Sequence, residues 1–200
     1  KVAAQYLTAL YQLAKAAVEK EDYAEAKELL LRAVGEYPHN LGEGKLESGQ
    51  ENNLYYLLGL VQEKLGEAKD AFESLTRACC GESESVGMMY YNDQPPAMIY
   101  YQGLAYRMLG EEEQAVRRFQ KLVDYGREHI RDDVKIDYFA VSLPDLLIFE
   151  ENLNERNRKH CLFMMSLGLK GLGRIDEAEK CAEELLAMDN AHQEIRVHDL

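Results

Sequence analysis

The stretch "YYLLGLVQEKLGEAKDAFESLTRA", Tyr55 to Ala78, decides how this 200-residue chain is read. Its first half places apolar residues at the spacing of a helix with one buried face. Gly66-Glu67 then makes a tight joint, and a second helix opens with an acidic residue and alanine. Three other stretches follow the same plan. They are "LYQLAKAAVEKEDYAEAKELLLRAVGEYP" (Leu10 to Pro38), "IYYQGLAYRMLGEEEQAVRRFQKL" (Ile99 to Leu122) and "LFMMSLGLKGLGRIDEAEKCAEELLAMD" (Leu162 to Asp189). Their joints fall at Glu21-Asp22, Gly110-Glu111 and Gly173-Arg174.

This pattern resembles the tetratricopeptide repeat, a helix–turn–helix unit of about 34 residues. The small eighth position of that repeat falls on Ala14, Gly59, Gly103 and Ser166. Its twentieth falls on Ala26, Ala71, Ala115 and Ala178, and its twenty-seventh on Ala33, Ala78, Leu122 and Leu185. Small residues belong where two antiparallel helices approach most closely, and the larger apolar positions between them fill the core. The expected fold is all-α, an array of four irregular repeats near residues 7–40, 52–85, 96–129 and 159–192. They form one domain over 1–200, with an insertion at 130–158.

The repeats are not evenly spaced. The invariant alanine recurs at 26, 71, 115 and 178, each step longer than the repeat itself, so every joint between repeats carries extra chain. "HNLGEGKLESGQ", His39 to Gln50, reads as a polar surface loop. "YYNDQPP", Tyr90 to Pro96, reads as a helix start: Asn92 or Asp93 is the expected N-cap, with Pro95 and Pro96 in the first turn. The insertion contains Ile136, Tyr138, Phe139, Val141, Leu143, Leu146, Leu147, Ile148 and Phe149. Such an apolar segment is expected to fold back onto the array. Within it, a short helix is expected to begin at Ser142 or Leu143, with Pro144 in its first turn. Asn152 is the expected cap of the next helix. The terminal "NAHQEIRVHDL" is expected to cover the outer face of the last helix, around Ala182, Leu185 and Leu186.

Charge and composition narrow the function. The formal net charge is −13, from 23 basic and 36 acidic residues. That opposes binding to a nucleic-acid backbone or an anionic membrane, both of which need clustered Lys and Arg. No apolar run approaches the roughly 18 residues that span a bilayer. No signal peptide is visible at the start, and because the chain opens on Lys1 rather than Met it is expected to be a fragment; the expected location is cytoplasmic. Cys79, Cys80, Cys161 and Cys181 form no CxxC pair and read as reduced, core-type residues. The carboxylates Asp132, Asp133, Asp137, Asp145, Glu150 and Glu151 crowd the insertion, but no nucleophile motif, phosphate loop or metal spacing accompanies them. We expect no catalytic residues, no metal, no cofactor and no enzymatic activity.

The resemblance also implies where a partner sits. In the repeat, the first helix lines a concave groove, and its fifth position falls on Tyr11, Tyr56, Tyr100 and Phe163. Lys15, Leu60 and Leu104 occupy the ninth position, and Arg107 the twelfth. An aromatic stripe with apolar and charged neighbours fits a protein or peptide partner. The alternative is that irregular stacking buries the same rings as core. The lysine and asparagines of the carboxylate clamp that some of these repeats carry are absent here.

A second resemblance rests on "YYNDQPPAMIYYQGLAYRMLG" and "KIDYFAVSLPDLLIFEENLNERNRKHC". Together they are similar to the C-terminal repeat region of large bacterial proteins whose N-terminal part is β-rich and resembles carbohydrate-active enzymes. This implies an interaction or scaffold module whose partner is a peptide, a protein or the parent's own N-terminal domain. The alternative implied is an accessory domain contributing saccharide contacts.

Overall fold

The computed structural model describes residues 2–35, 50–87, 93–135 and 152–198. Among them are nine helices: α1 (Val2–Glu19), α2 (Tyr23–Val34), α3 (Asn52–Lys64), α4 (Ala68–Ala78), α5 (Pro96–Met108), α6 (Glu112–His129), α7 (Leu153–Gly171), α8 (Ile175–Met188) and α9 (Gln193–Val197). No strand occurs among the described residues. The all-α helix–turn–helix array expected from the sequence is the observed fold.

One local device builds all four hairpins. At the second joint, the Glu67 N–H donates to the Gln62 carbonyl at 2.9 Å and the Gly66 N–H to Glu63 at 3.0 Å. This is the Schellman closure, in which a residue in the left-handed region lets the chain turn back and satisfy the last carbonyls of a helix. The same pair of bonds recurs as Asp22 to Ala17 with Glu21 to Val18, Glu111 to Tyr106 with Gly110 to Arg107, and Arg174 to Leu169 with Gly173 to Lys170. The residue in the left-handed region is glycine three times, at φ 78°, 81° and 75°, and Glu21 once, at φ 59°. The first joint has a compensation: Asp22 caps α2 by accepting the Glu25 N–H at 3.1 Å.

The positions that must be small are all buried, as close helix approach requires. The chain divides into two compact units. Unit 1 comprises residues 1–81 and 104–112. In it α1 packs on α2, α2 on α3 and α3 on α4. A Cβ at Gly59 would lie 2.6 Å from Leu75 Cγ, so α3 and α4 meet where only glycine fits the present packing. Leu75, Ala78 and Ala105 form a core flanked by Tyr55, Tyr56, Met108 and Leu109. Asn52 ties the hairpin shut by donating to the Ala78 and Cys80 carbonyls at 2.9 and 2.7 Å. Lys27 pairs with both oxygens of Glu67 at 2.6 Å, linking the first hairpin to the second.

Unit 2 comprises residues 82–103 and 113–200. Phe119 of α6 is fully buried at its centre, and a side chain on Gly103 of α5 or Gly171 of α7 would run into its ring. Asn152 caps α7 as expected, accepting the N–H groups of Asn154 and Glu155 at 3.1 and 3.2 Å. The start of α5 differs from its expectation. The helix begins at Pro96, with Pro95 at the cap position and its carbonyl accepting the Met98 N–H at 2.9 Å. Proline supplies the preset φ and lacks the N–H that would need a partner, so Asp93 stands upstream of the cap position. Asn92, Tyr90, Tyr91, the 39–49 part of the first loop, the apolar segment 136–149 with its expected helix start, and Asp137, Asp145, Glu150 and Glu151 lie outside the described residues.

Candidate functional site

The residues expected to line a groove divide by depth. Tyr11, Tyr100 and Phe163 are 4 %, 6 % and 4 % exposed, so these three rings pack inside the molecule rather than forming an open stripe. Tyr11 carries the Lys15 ammonium over its face at 5.8 Å. Tyr100 sits 5.7 Å from the Phe119 ring and 5.5 Å from that of Tyr101. Phe163 packs against the rings of His192 and His198 at 5.5 and 6.3 Å.

The remaining residues belong to unit 1 and stay within reach of solvent. Lys15, Tyr56, Leu60 and Leu104 are half-buried, and Arg107 is exposed. Burial pushes the Tyr56 phenol above the ordinary tyrosine range, and the nearby Arg107 charge pulls it the other way. Arg107 forms a forked pair with Glu112, its Nη2 2.8 Å from Oε1 and its Nε 3.0 Å from Oε2. The arginine holds the Glu112 carboxyl below the usual carboxylate range through this hydrogen bond. This geometry offers shape, apolar contact and directed charge. It positions no nucleophile beside a base. Among the described residues no group of His, Cys, Asp and Glu side chains would hold a metal.

Two arrangements in unit 2 escape sequence reasoning. The first holds the connector after α4. The Glu82 carbonyl accepts from Gln94 Nε2 at 2.9 Å and Gln102 Nε2 at 3.0 Å, and the Val86 carbonyl lies 2.8 Å from His160 Nε2. Lys121 reaches the carboxylate of Glu84. A buried glutamine just ahead of α5, Gln94, and another within its apolar pattern, Gln102, are the available signal, because a buried amide needs partners. Burial also pushes the His160 imidazole below its ordinary value.

The second arrangement holds the C-terminal segment, whose two histidine rings meet α5 and α7. Tyr101 OH lies 3.0 Å from His198 Nδ1, and His198 Nε2 lies 3.1 Å from Glu194 Oε2. Phe163 gives both histidines an aromatic face, and the Tyr101 hydroxyl gives His198 a hydrogen-bond partner. Asp199 and Leu200 lie outside the described residues.

The cysteines are free thiols of unequal depth. Cys161 is buried and its pKa is pushed up to about 12 by that burial. Cys80 is exposed, which departs from the core-type reading.

The fold and its joints define a helical-hairpin repeat protein. Family models described as tetratricopeptide repeat match residues 11–85 and 97–125, so the chain carries tetratricopeptide repeats over these residues. Among solved structures, this chain is similar to that of MamA, at 20 % identity and a TM-score of 0.34, over 92 % of this chain and 78 % of that one. It is also similar to a tetratricopeptide repeat protein from Parabacteroides merdae ATCC 43184, at 17 % identity and a TM-score of 0.33, over 94 % and 68 %. The assignment rests on the repeats and their joints rather than on these superpositions. Tetratricopeptide repeats are protein-interaction and scaffolding elements, and typically non-enzymatic. No helix among the described residues is long and apolar enough to cross a membrane.

Proposed function

We propose that this chain is a non-enzymatic interaction module whose partner, a peptide or a protein segment, contacts Tyr56, Leu60, Leu104 and Arg107 of unit 1. The observation that carries this reading is Tyr56. It is a half-buried aromatic beside an exposed arginine, with half-buried leucines at Leu60 and Leu104. Half-buried aromatic and arginine side chains give the largest return on further burial at an interface. Lys15 adds a second cation. Tyr11, Tyr100 and Phe163 enter this reading as packing beneath the repeats, not as contacts. The net charge of −13 sets the partner's class, since a segment with apolar anchors and few acidic groups meets least repulsion. A neighbouring domain of a longer parent chain satisfies the same description.

The test is a cross-linking capture with the chain as bait, followed by binding measurements on purified captured segments. A Tyr56→Ala/Arg107→Ala variant that melts like the wild type serves as control. We expect the variant to bind at least about tenfold more weakly, the loss typical of a truncated interface anchor. Equal binding by wild type and variant would remove these residues from the interface.

A further inference from the structure

The described part of the C-terminal segment ends in α9, a helix of five residues. One turn of helix is not stable in water, because the nucleus costs more than its few hydrogen bonds return. Its structure therefore depends on what it docks against. The inward side of the segment is Ile195 and His198, 2 % and 5 % exposed and three residues apart. Its other side, Gln193, Glu194 and Arg196, is exposed. This is the pattern of a short amphipathic helix with two anchors one turn apart.

The receiving surface comes from two other helices of unit 2. Tyr101 meets the His198 ring edge-on, with centroids 5.4 Å apart and planes at 61°. Its hydroxyl also reaches Nδ1 of that ring. The Phe163 ring lies against the rings of both His192 and His198. His198 is held within its own segment as well, by Glu194 through the side chain and through the backbone N–H at 3.1 Å. The link back to α8 is a tight polar turn, in which the Asp189 side chain accepts the Ala191 N–H at 3.2 Å. Asn190 and Ala191 in that turn are exposed.

We propose that the Tyr101–Phe163 surface is a docking site for a short amphipathic helix, and that α9 is its resident, displaceable occupant. The ligand class is read from the occupant. It is a helical segment with a branched aliphatic residue and, three positions later, a histidine. The aliphatic side chain is buried on docking, as Ile195 is. The imidazole packs edge-on to the Tyr101 ring and tilted against Phe163, and it hydrogen-bonds the Tyr101 phenol, a demand that an aliphatic side chain does not meet. A helix of five residues joined to α8 through an exposed turn is a small unit, so it opens without the rest of unit 2. A partner helix with the same anchors takes its place, and while α9 is seated the surface is closed to it. The proposal concerns residues of unit 2 alone and stands or falls independently of the unit 1 reading.

Hydrogen exchange on the intact chain tests the displaceability. The His198 amide is expected to exchange at least about 100-fold faster than amides in the middle of α7, such as that of Leu167. Exchange of both at one rate would mean that α9 opens only with unit 2, and would overturn the proposal. Occupancy is tested with a fluorescein-labelled peptide copying residues 189–200, added to full-length wild type and to full-length His198→Ala. The variant, whose own latch is weakened, should bind the peptide at least tenfold more tightly than wild type does. Adding Tyr101→Phe to the variant should abolish that gain. A folded variant that binds no better than wild type overturns the proposal. A variant that fails to fold does so too, since α9 would then be integral to the unit.

Discussion

Tyr56 and Phe163 hold the same place in their repeats and meet opposite fates. In unit 1, Tyr56 stays half-buried beside an exposed arginine. In unit 2, Phe163 is buried under two histidines of the chain's own C-terminal segment. The repeat fixes which way a side chain points. What else the chain lays across that surface fixes whether it meets solvent. Unit 1 closes Gly59 against a leucine side chain, whereas unit 2 closes Gly103 and Gly171 against the Phe119 ring and Gly168 against the Phe119 backbone.

The strongest way to break this comparison is to empty unit 2. Phe119 is fully buried and fills space that Gly103 and Gly171 leave open. Phe119→Ala should cost about 3–5 kcal/mol, the range for aromatic truncation in a core. Urea denaturation measures it, and a loss below about 1 kcal/mol would show that the glycine helices collapse onto the gap.

Overpacking discriminates between the units more finely. A Cβ on Gly168 would sit 2.5 Å from the Phe119 carbonyl oxygen and 2.7 Å from Val123 Cγ2. Backbone cannot rotate away, so Gly168→Ala should destabilise by about 2–3 kcal/mol. Gly59→Ala meets Leu75 Cγ and Cδ2, which can shift with a rotamer change, so about 1 kcal/mol is expected. Equal losses in the two variants would deny the distinction between backbone and side-chain contact.

Acid should act on unit 2 first. Burial lowers the pKa of His160 and His192, so each binds its proton less readily folded than unfolded. Their contribution to stability is complete above the unfolded value of about 6.5 and is lost as pH falls from there toward the lowered folded values. No histidine occurs among the described residues of unit 1. The melting temperature should fall between about pH 7.5 and 5.5, and His160→Gln should flatten that fall. A melting temperature that rises on acidification would reverse the sign and refute the account.

These differences also mark what could be read from sequence. The hairpins were legible because one spacing of small residues and one joint repeat four times, and both are local. The capping role of Asn152 was legible for the same reason. The burial of Tyr11, Tyr100 and Phe163 was not, because helical periodicity gives a side chain its direction and not its cover. The seat of the C-terminal segment was equally hidden. It depends on a hydrogen bond between residues 97 positions apart, Tyr101 and His198, that no local pattern encodes. The hold of Gln94 and Gln102 on Glu82 is intermediate, since their burial in apolar surroundings demands a partner without naming it.

The smallest expected effect returns to the joints. Three of the four use glycine in the left-handed region, and the first uses Glu21 at φ 59°. A Cβ there crowds the following carbonyl, at a cost of roughly 1–2 kcal/mol. Glycine removes that strain but widens the unfolded ensemble, which returns part of the gain. Glu21→Gly should therefore stabilise the chain by about 0.5–1 kcal/mol, measured as a shift in the urea midpoint with an unchanged slope. Gly66→Ala, the converse change in the second joint, should destabilise by a similar amount even though a Cβ at Gly66 meets no atom within 4 Å. Its penalty is then conformational alone. If Glu21→Gly proved destabilising, the Glu21 side chain would be contributing more than its backbone strain removes, and the four joints would be alike in geometry but not in energetics.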